Sequence, residues 1–204
     1  GTTTAALCMI LVMLPFFLSF EGRKPQAREL VVIGVLVVIA VAGRAAFFML
    51  PQFKPTVAIT IIGGIALGAE SGFLIGSSSM LLSNIFSGQG PWTPWQMFAM
   101  GIIGFLAGLV FRWVRGQNSQ VGLLTFGGLS AFFIYGGIMN PAAVLMAQQQ
   151  ITLPMIIASY ATGLPFDIVH AVSTVFFLYV LGRPMLEKLE RIKVKYGLIQ
   201  AQAW

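Results

Sequence analysis

Arg44, Asp167 and His170 sit inside otherwise apolar runs of this chain. An ionisable group in such a run is costly and marks a working position by default. Arg44 falls about two turns inside one end of its helix. Asp167 falls in the first turn of another helix at similar depth, so the two are placed to pair. His170 follows Asp167 by three residues, which puts both on one helical face. Each has a plainer alternative. Arg44 suits a structural ion pair, Asp167 a helix N-terminus, and His170 a hydrogen-bonded core position.

The second concentration of polar chemistry is Gly88–Gln96, Gly-Gln-Gly-Pro-Trp-Thr-Pro-Trp-Gln. Thr93 suits a helix cap, Pro94 the first helical position and Gln96 the reciprocal partner three residues on, which is a capping box. Trp92 and Trp95 are bracketed by Gln89 and Gln96, with Asn84 and Asn140 at similar depth. Amides hydrogen-bond without charge, and indoles supply flat contact area and a donor. The cluster therefore suits a large, partly polar and partly flat ligand, or an interfacial anchor. No catalytic constellation accompanies it. The chain has one His and one Cys, and no Walker A, HExxH or GxSxG motif. One His and a lone Cys8 in an apolar run also argue against a metal site or a disulfide framework. The chain is expected not to be an enzyme.

These groups must be positioned by membrane helices. The chain of 204 residues is 57% hydrophobic and 9% charged, against about 25% charge in soluble domains. Its 23 glycines suit close helix packing in lipid. A membrane helix needs about 20 apolar residues. Candidate helices are 3–20, 29–50, a 56–87 stretch split by a turn at Glu70, 94–114, 121–139 and 164–182. Residues 3–20 have no basic segment before them and no small-residue cleavage pattern after, so a retained helix is expected. Asn140-Pro141 reads as a helix start, with Pro154 and Pro165 as interruptions, so 141–161 is expected to cap one membrane face. The chain is expected to form one integral domain over 1–204, with a basic tail over 183–204.

The net charge of +6 is distributed as an orientation signal, not as a nucleic-acid surface. Three Lys/Arg lie in 21–30, two in 112–119 (Arg112 and Arg115) and five from Arg183 onward, against Lys54 alone on the other side. This predicts seven spans with the N-terminus outside and the C-terminus cytoplasmic. The turns 52–55 and 88–96 and the segment 140–161 then lie outside, and Glu70 inside. Ala42 and Ala46, with Gly34 on the same stripe, would let a partner helix approach closely, while Arg44 points into the bundle.

Four stretches resemble a known family. They are Ala-Gly-Arg-Ala-Ala-Phe-Phe-Met-Leu-Pro-Gln-Phe-Lys-Pro (42–55), Gly-Ile-Ala-Leu-Gly-Ala-Glu-Ser-Gly-Phe-Leu-Ile-Gly (64–76), Ser-Asn-Ile-Phe-Ser-Gly-Gln-Gly-Pro-Trp-Thr-Pro-Trp-Gln-Met-Phe-Ala (83–99) and Phe-Ile-Tyr-Gly-Gly-Ile-Met-Asn (133–140). Together they resemble an S component, the substrate-binding membrane subunit of an energy-coupling factor (ECF) vitamin transporter, and most of all its cobalamin-type branch. The resemblance implies an all-α six-helix core over 29–182, here with 3–20 as an extra N-terminal helix. It implies a prokaryotic plasma-membrane location and a cavity that captures a vitamin outside. It implies docking on a transmembrane coupling subunit (T component), here through Ala42 and Ala46, and transport by toppling. Two cytosolic ATPases would use ATP and magnesium, while this subunit would carry no cofactor of its own. Vitamin contacts would map onto Arg44, Asn84, Gln89, Trp92, Trp95, Gln96, Tyr135 and Asp167. Cobalamin is the expected ligand. A queuosine-, pterin- or pyrimidine-type compound is the alternative, and a stand-alone channel or scaffold a further one. Lipid is an expected partner, and nucleic acid is not.

Overall fold

The structure, a computed structural model, describes residues 1–113 and 119–198. Val114 and Arg115, expected at the end of the fifth helix, lie outside the described residues. Seven helices run through the described residues: α1 (Thr2–Gly22), α2 (Ala27–Ala46), α3 (Thr56–Leu67), α4 (Ala69–Ser87), α5 (Thr93–Trp113), α6 (Gln120–Ala147) and α7 (Leu153–Tyr196). Five of them, α1, α2, α5, α6 and α7, are long and apolar enough to cross a membrane. The protein is an all-α, multi-pass membrane protein.

The short helix α3 sits at the centre. Eleven of its twelve residues are buried, all but Ile65. Its sequence is apolar on every side, which is the pattern of a helix enclosed by others. At about 18 Å it is too short to span a bilayer alone, but its neighbours sheath it. Gly68 ends it with φ 105° and ψ 170°, a backbone region essentially reserved for glycine. The chain therefore reverses at Gly68, two residues before the expected turn at Glu70. Just beyond, backbones meet: a Cβ on Gly72 would lie 2.3 Å from the Gly104 carbonyl oxygen, and one on Gly104 would lie 2.1 Å from that of Gly72. This contact is what holds α4 and α5 together so closely.

The extra helix α1 leans on α4 and α5. Phe16 stacks on Phe73 with ring centres 4.3 Å apart and meets Phe105 edge-on. At the end of the bundle where α1 passes to α2, Arg23 donates to Glu29 at 3.0 Å and lies 3.7 Å from Glu70. The 21–30 loop and Glu70 thus share one end, with Arg112 and the basic half of α7. The turns 47–55, 88–92 and 148–152 share the other.

Two expected boundaries are corrected. Residues 141–161 do not form a capping segment. α6 continues through Asn140-Pro141 to Ala147, and α7 begins at Leu153 instead of near 164. The reversal lies at 148–152, where the glutamine patch is exposed and the Thr152 hydroxyl accepts from the Met155 N–H. Pro154 occupies the helix start, where its missing N–H costs nothing. Pro165 and Pro184 are accommodated inside α7, as membrane helices allow when neighbours re-satisfy the freed carbonyls. The basic tail is also largely helical, since α7 runs to Tyr196 and is ended by Gly197 at φ 68°.

Candidate substrate cavity

Arg44 belongs to the last turn of α2 and reaches across to α4. Its Nη1 donates to Ser83 Oγ and, at 2.6 Å, to Asn84 Oδ1. Asn84 passes the bonding on. Its Nδ2 donates to Gln96 Oε1 at 2.7 Å and to Thr93 Oγ1 at 3.0 Å. Thr93 in turn donates to Gln89 Oε1 at 2.9 Å, and Gln89 Nε2 donates to the Leu81 carbonyl at 2.8 Å. A chain of neutral amides and hydroxyls therefore runs from one guanidinium to the 88–92 turn. Each link is directional, and Asn84 is only 1% exposed, so the network fixes the rotamers around the charge.

Gln96 does not act as the capping-box partner. Its side-chain oxygen is taken by Asn84. The Thr93 hydroxyl, for its part, accepts from the Gly90 N–H and from Asn84. Competition from a buried amide outweighs the local cap, because an unmatched amide inside the bundle would cost more than an exposed helix end.

Tyr135 reaches this place through a change in helix geometry. Residues Ser130–Tyr135 of α6 form a π-helical segment, whose wider turn shifts the register of the side chains that follow. The Tyr135 ring packs edge-on against His170 of α7, with centres 4.8 Å apart at 81°. His170 is 4% exposed and its Nδ1 has no partner.

Arg44, Gln96, Tyr135 and His170 line one cavity of ≈ 330 Å³. Met80, Met100 and Phe166 supply its apolar wall, and Gln52 and Lys54 close it from the 47–55 turn. The turn is pinned down. Gln52 holds a left-handed φ of 60°, and its carbonyl accepts from Ser173 Oγ at 3.1 Å. Phe53 packs on Phe47 and Phe177. Lys54 Nζ donates to the carbonyls of Leu50 at 2.8 Å and Phe47 at 3.3 Å. Burial first, and then the like charge of Arg44, hold the Lys54 ammonium below its ordinary pKa.

The expected site residues divide. Arg44, Gln96 and Tyr135 line the cavity, and Asn84 stands directly behind Arg44 and Gln96. Gln89 and Trp92 lie in the neighbouring turn, where the Trp92 indole donates to the Gly88 carbonyl and remains 40% exposed. The Trp95 Nε1 is buried without a partner. Asp167 is elsewhere. It accepts from Asn140 Nδ2 at 2.7 Å, in a niche where Gly136 and Gly163 leave room for both side chains. Arg44 and Asp167 form no ion pair among the described residues, since each is held by a different amide. Ala42 and Ala46 are exposed on α2, as is Gly34. Lys54, Thr56 and Gln52 were not among the expected contacts. The lone cation on an otherwise uncharged side was the available signal for Lys54.

A larger cavity of ≈ 640 Å³ lies at the opposite end, where Arg183, Glu187 and Glu190 meet Ala66, Phe111 and Leu123. It gathers none of the polar groups that the chain buries around Arg44.

A membrane helix bundle with a cavity whose polar wall is braced through the buried amide of Asn84 has the architecture of a small-molecule-binding membrane subunit. The chain belongs to the family described as ECF transporter, substrate-specific component, whose family model matches residues 28–182. The match begins in the first turn of α2, so α1 lies outside it. A UPF0397 protein of Aliivibrio salmonicida (strain LFI1238) is 29% identical over 103 residues, 48% of this chain and 55% of that one. A UPF0397 protein of Vibrio atlanticus (strain LGP32) is 27% identical over 100 residues, 47% and 54% of the two chains. The chain thus spans about half the length of the curated relatives it matches. No solved structure matches it.

Proposed function

We propose that this chain is the substrate-capturing subunit of an ECF-type importer and that it takes its substrate in the cavity around Arg44. The observation that carries the reading is the hydrogen-bonded network from Arg44 through the buried Asn84 to Gln96, which fixes polar groups on one wall of that cavity. Such preorganisation lowers the ordering cost of binding. The end bearing the cavity faces outside, because the opposite end carries the Lys/Arg excess. S components work with a T component and ATPases, and the exposed Ala42–Ala46 stripe of α2 is the docking face here. Delivery inward is by toppling of the whole subunit.

The cavity size bears on the substrate. At ≈ 330 Å³ it sits at the low end of the roughly 300–1,000 Å³ typical of small-molecule sites. That favours a compact heterocycle of the queuosine, pterin or pyrimidine type. The second reading is a corrinoid such as cobalamin, placing one edge in the cavity and the rest over the 88–92 turn; the amide and indole groups of Gln89 and Trp92 support it. Calorimetric titration of the purified chain with cobalamin, cobinamide, queuosine and pterins decides between them. Tight cobalamin binding establishes the corrinoid reading, and heat with a smaller compound alone removes it. Purification without coupling or ATPase subunits, together with flux that needs no ATP, would sink the importer reading itself.

A further inference from the structure

We infer that the substrate carries an oxyanion, a carboxylate or phosphate, bound between Arg44, Lys54 and the N-terminus of α3. This rests on the proposal that the cavity around Arg44 takes the substrate. Both cations line that cavity, and no Asp or Glu does among the described residues. Two like charges are held there with no opposite charge among the cavity-lining residues.

Both cations retain donors. The described bonds of Arg44 leave from Nη1, to Ser83 and Asn84. Its Nε and Nη2 remain, with three of the five guanidinium N–H groups. Lys54 gives two bonds to backbone carbonyls and has a third N–H left. The lowered basicity of Lys54, caused by burial and by Arg44, is a penalty that a bound anion would relieve.

Two buried side chains point the same way. Thr56, the first residue of α3, lines the cavity, is 3% exposed, and its hydroxyl has no partner. A buried hydroxyl without a partner costs free energy, so it is expected to find one in the ligand. The first-turn N–H groups of α3 have no intrahelical acceptor, and the helix dipole favours negative charge there. His170 Nδ1, equally buried and unpaired, offers a neutral contact to the ring or chain that bears the acid. An oxyanion is the chemistry that meets two cations, a hydroxyl and a helix N-terminus together.

Thermal unfolding of the detergent-solubilised full chain tests this, followed by tryptophan fluorescence. The probes are inorganic phosphate and orotate, against chloride at matched ionic strength and uracil as the neutral ring. Phosphate and orotate should raise the midpoint while chloride and uracil do not. Lys54→Gln and Thr56→Val should each weaken the apparent affinity by about tenfold, the scale of one hydrogen bond to a charged group. Lys188→Gln, at the opposite end, should leave it unchanged. The inference is overturned if neither anion exceeds chloride, if uracil matches orotate, if both cavity variants keep the full effect, or if Lys188→Gln loses it. If the chain co-purifies with its coupling and ATPase subunits and imports a neutral compound, the importer reading stands and the oxyanion falls.

Discussion

Asn84 Oδ1 accepts from Arg44 at 2.6 Å while Asn84 Nδ2 donates to Gln96 Oε1 at 2.7 Å. One buried amide therefore uses its acceptor to hold a cation and its donors to hold the wall beside it. Replacing Asn84 by Leu takes one partner from each neighbour at once and leaves Arg44 with Ser83 alone. A hydrogen bond to a charged group contributes about 1.5–3 kcal/mol, so Asn84→Leu should unfold at clearly lower temperature and bind substrate weakly. Asn84→Asp keeps the acceptor for Arg44 but loses the donor to Gln96, and should recover stability more than affinity. Calorimetric unfolding and titration on the same preparations separate the two.

The glycines of the central contact are expected to be intolerant. A Cβ on Gly104 would overlap the Gly72 carbonyl, which neither backbone can easily vacate. Overpacking of this kind costs about 1–3 kcal/mol or more. Gly104→Ala should lower the unfolding midpoint by several degrees, whereas Gly34→Ala, with nothing within 4 Å of the added atom, should leave it unchanged or raise it.

Asp167 provides a contrast with Arg44. Its carboxylate serves Asn140 and not the cavity. Asp167→Asn should therefore retain substrate binding, and Arg44→Gln should lose it. Equal loss in both, measured by titration, would mean that the cavity extends to Asp167 when a ligand is present.

Ala42→Trp or Ala46→Trp tests the coupling face. Both positions are exposed and lie on the surface of α2 away from its contacts with α3 and α4. Each variant should abolish uptake by the assembled transporter while the isolated subunit binds normally. Uptake that survives both substitutions would move the docking face elsewhere.

Lys54 should leave a signature in alkaline solution. Its pKa in the folded chain is lowered, by burial and then by Arg44, so the folded state releases this proton before the unfolded one does. Stability rises with pH wherever the unfolded state holds more protons. The penalty from Lys54 is complete below its folded pKa and fades as pH climbs toward 10.5. Wild type should thus gain on Lys54→Met as pH rises through that window, with a small amplitude because the side chain is partly exposed. Parallel pH profiles of the two unfolding midpoints would argue against it.

Much of this protein was legible in its sequence. Apolar runs of about 20 residues located the long helices, because a bilayer leaves a buried backbone few alternatives. The Lys/Arg excess identified which loops share an end, and Arg44, a charge in an apolar run, is a residue that the structure places on a cavity wall, since an ionisable group in such a run must be matched by something. Three features were decided only by tertiary contacts. Asn140-Pro141 looked like a boundary, yet α6 runs through it, because neighbouring helices can re-satisfy what proline removes. Gln96 had the spacing of a cap partner, but Asn84, twelve residues earlier in the chain, claims its oxygen. Thr56 carries no local sign of its role, and His170, although marked by its place in an apolar run, gives no sign that its Nδ1 is left unpaired. Their unpaired polar atoms become visible only when α2, α3, α6 and α7 close around one cavity, since sequence spacing reports neighbours within a helix and not across a bundle.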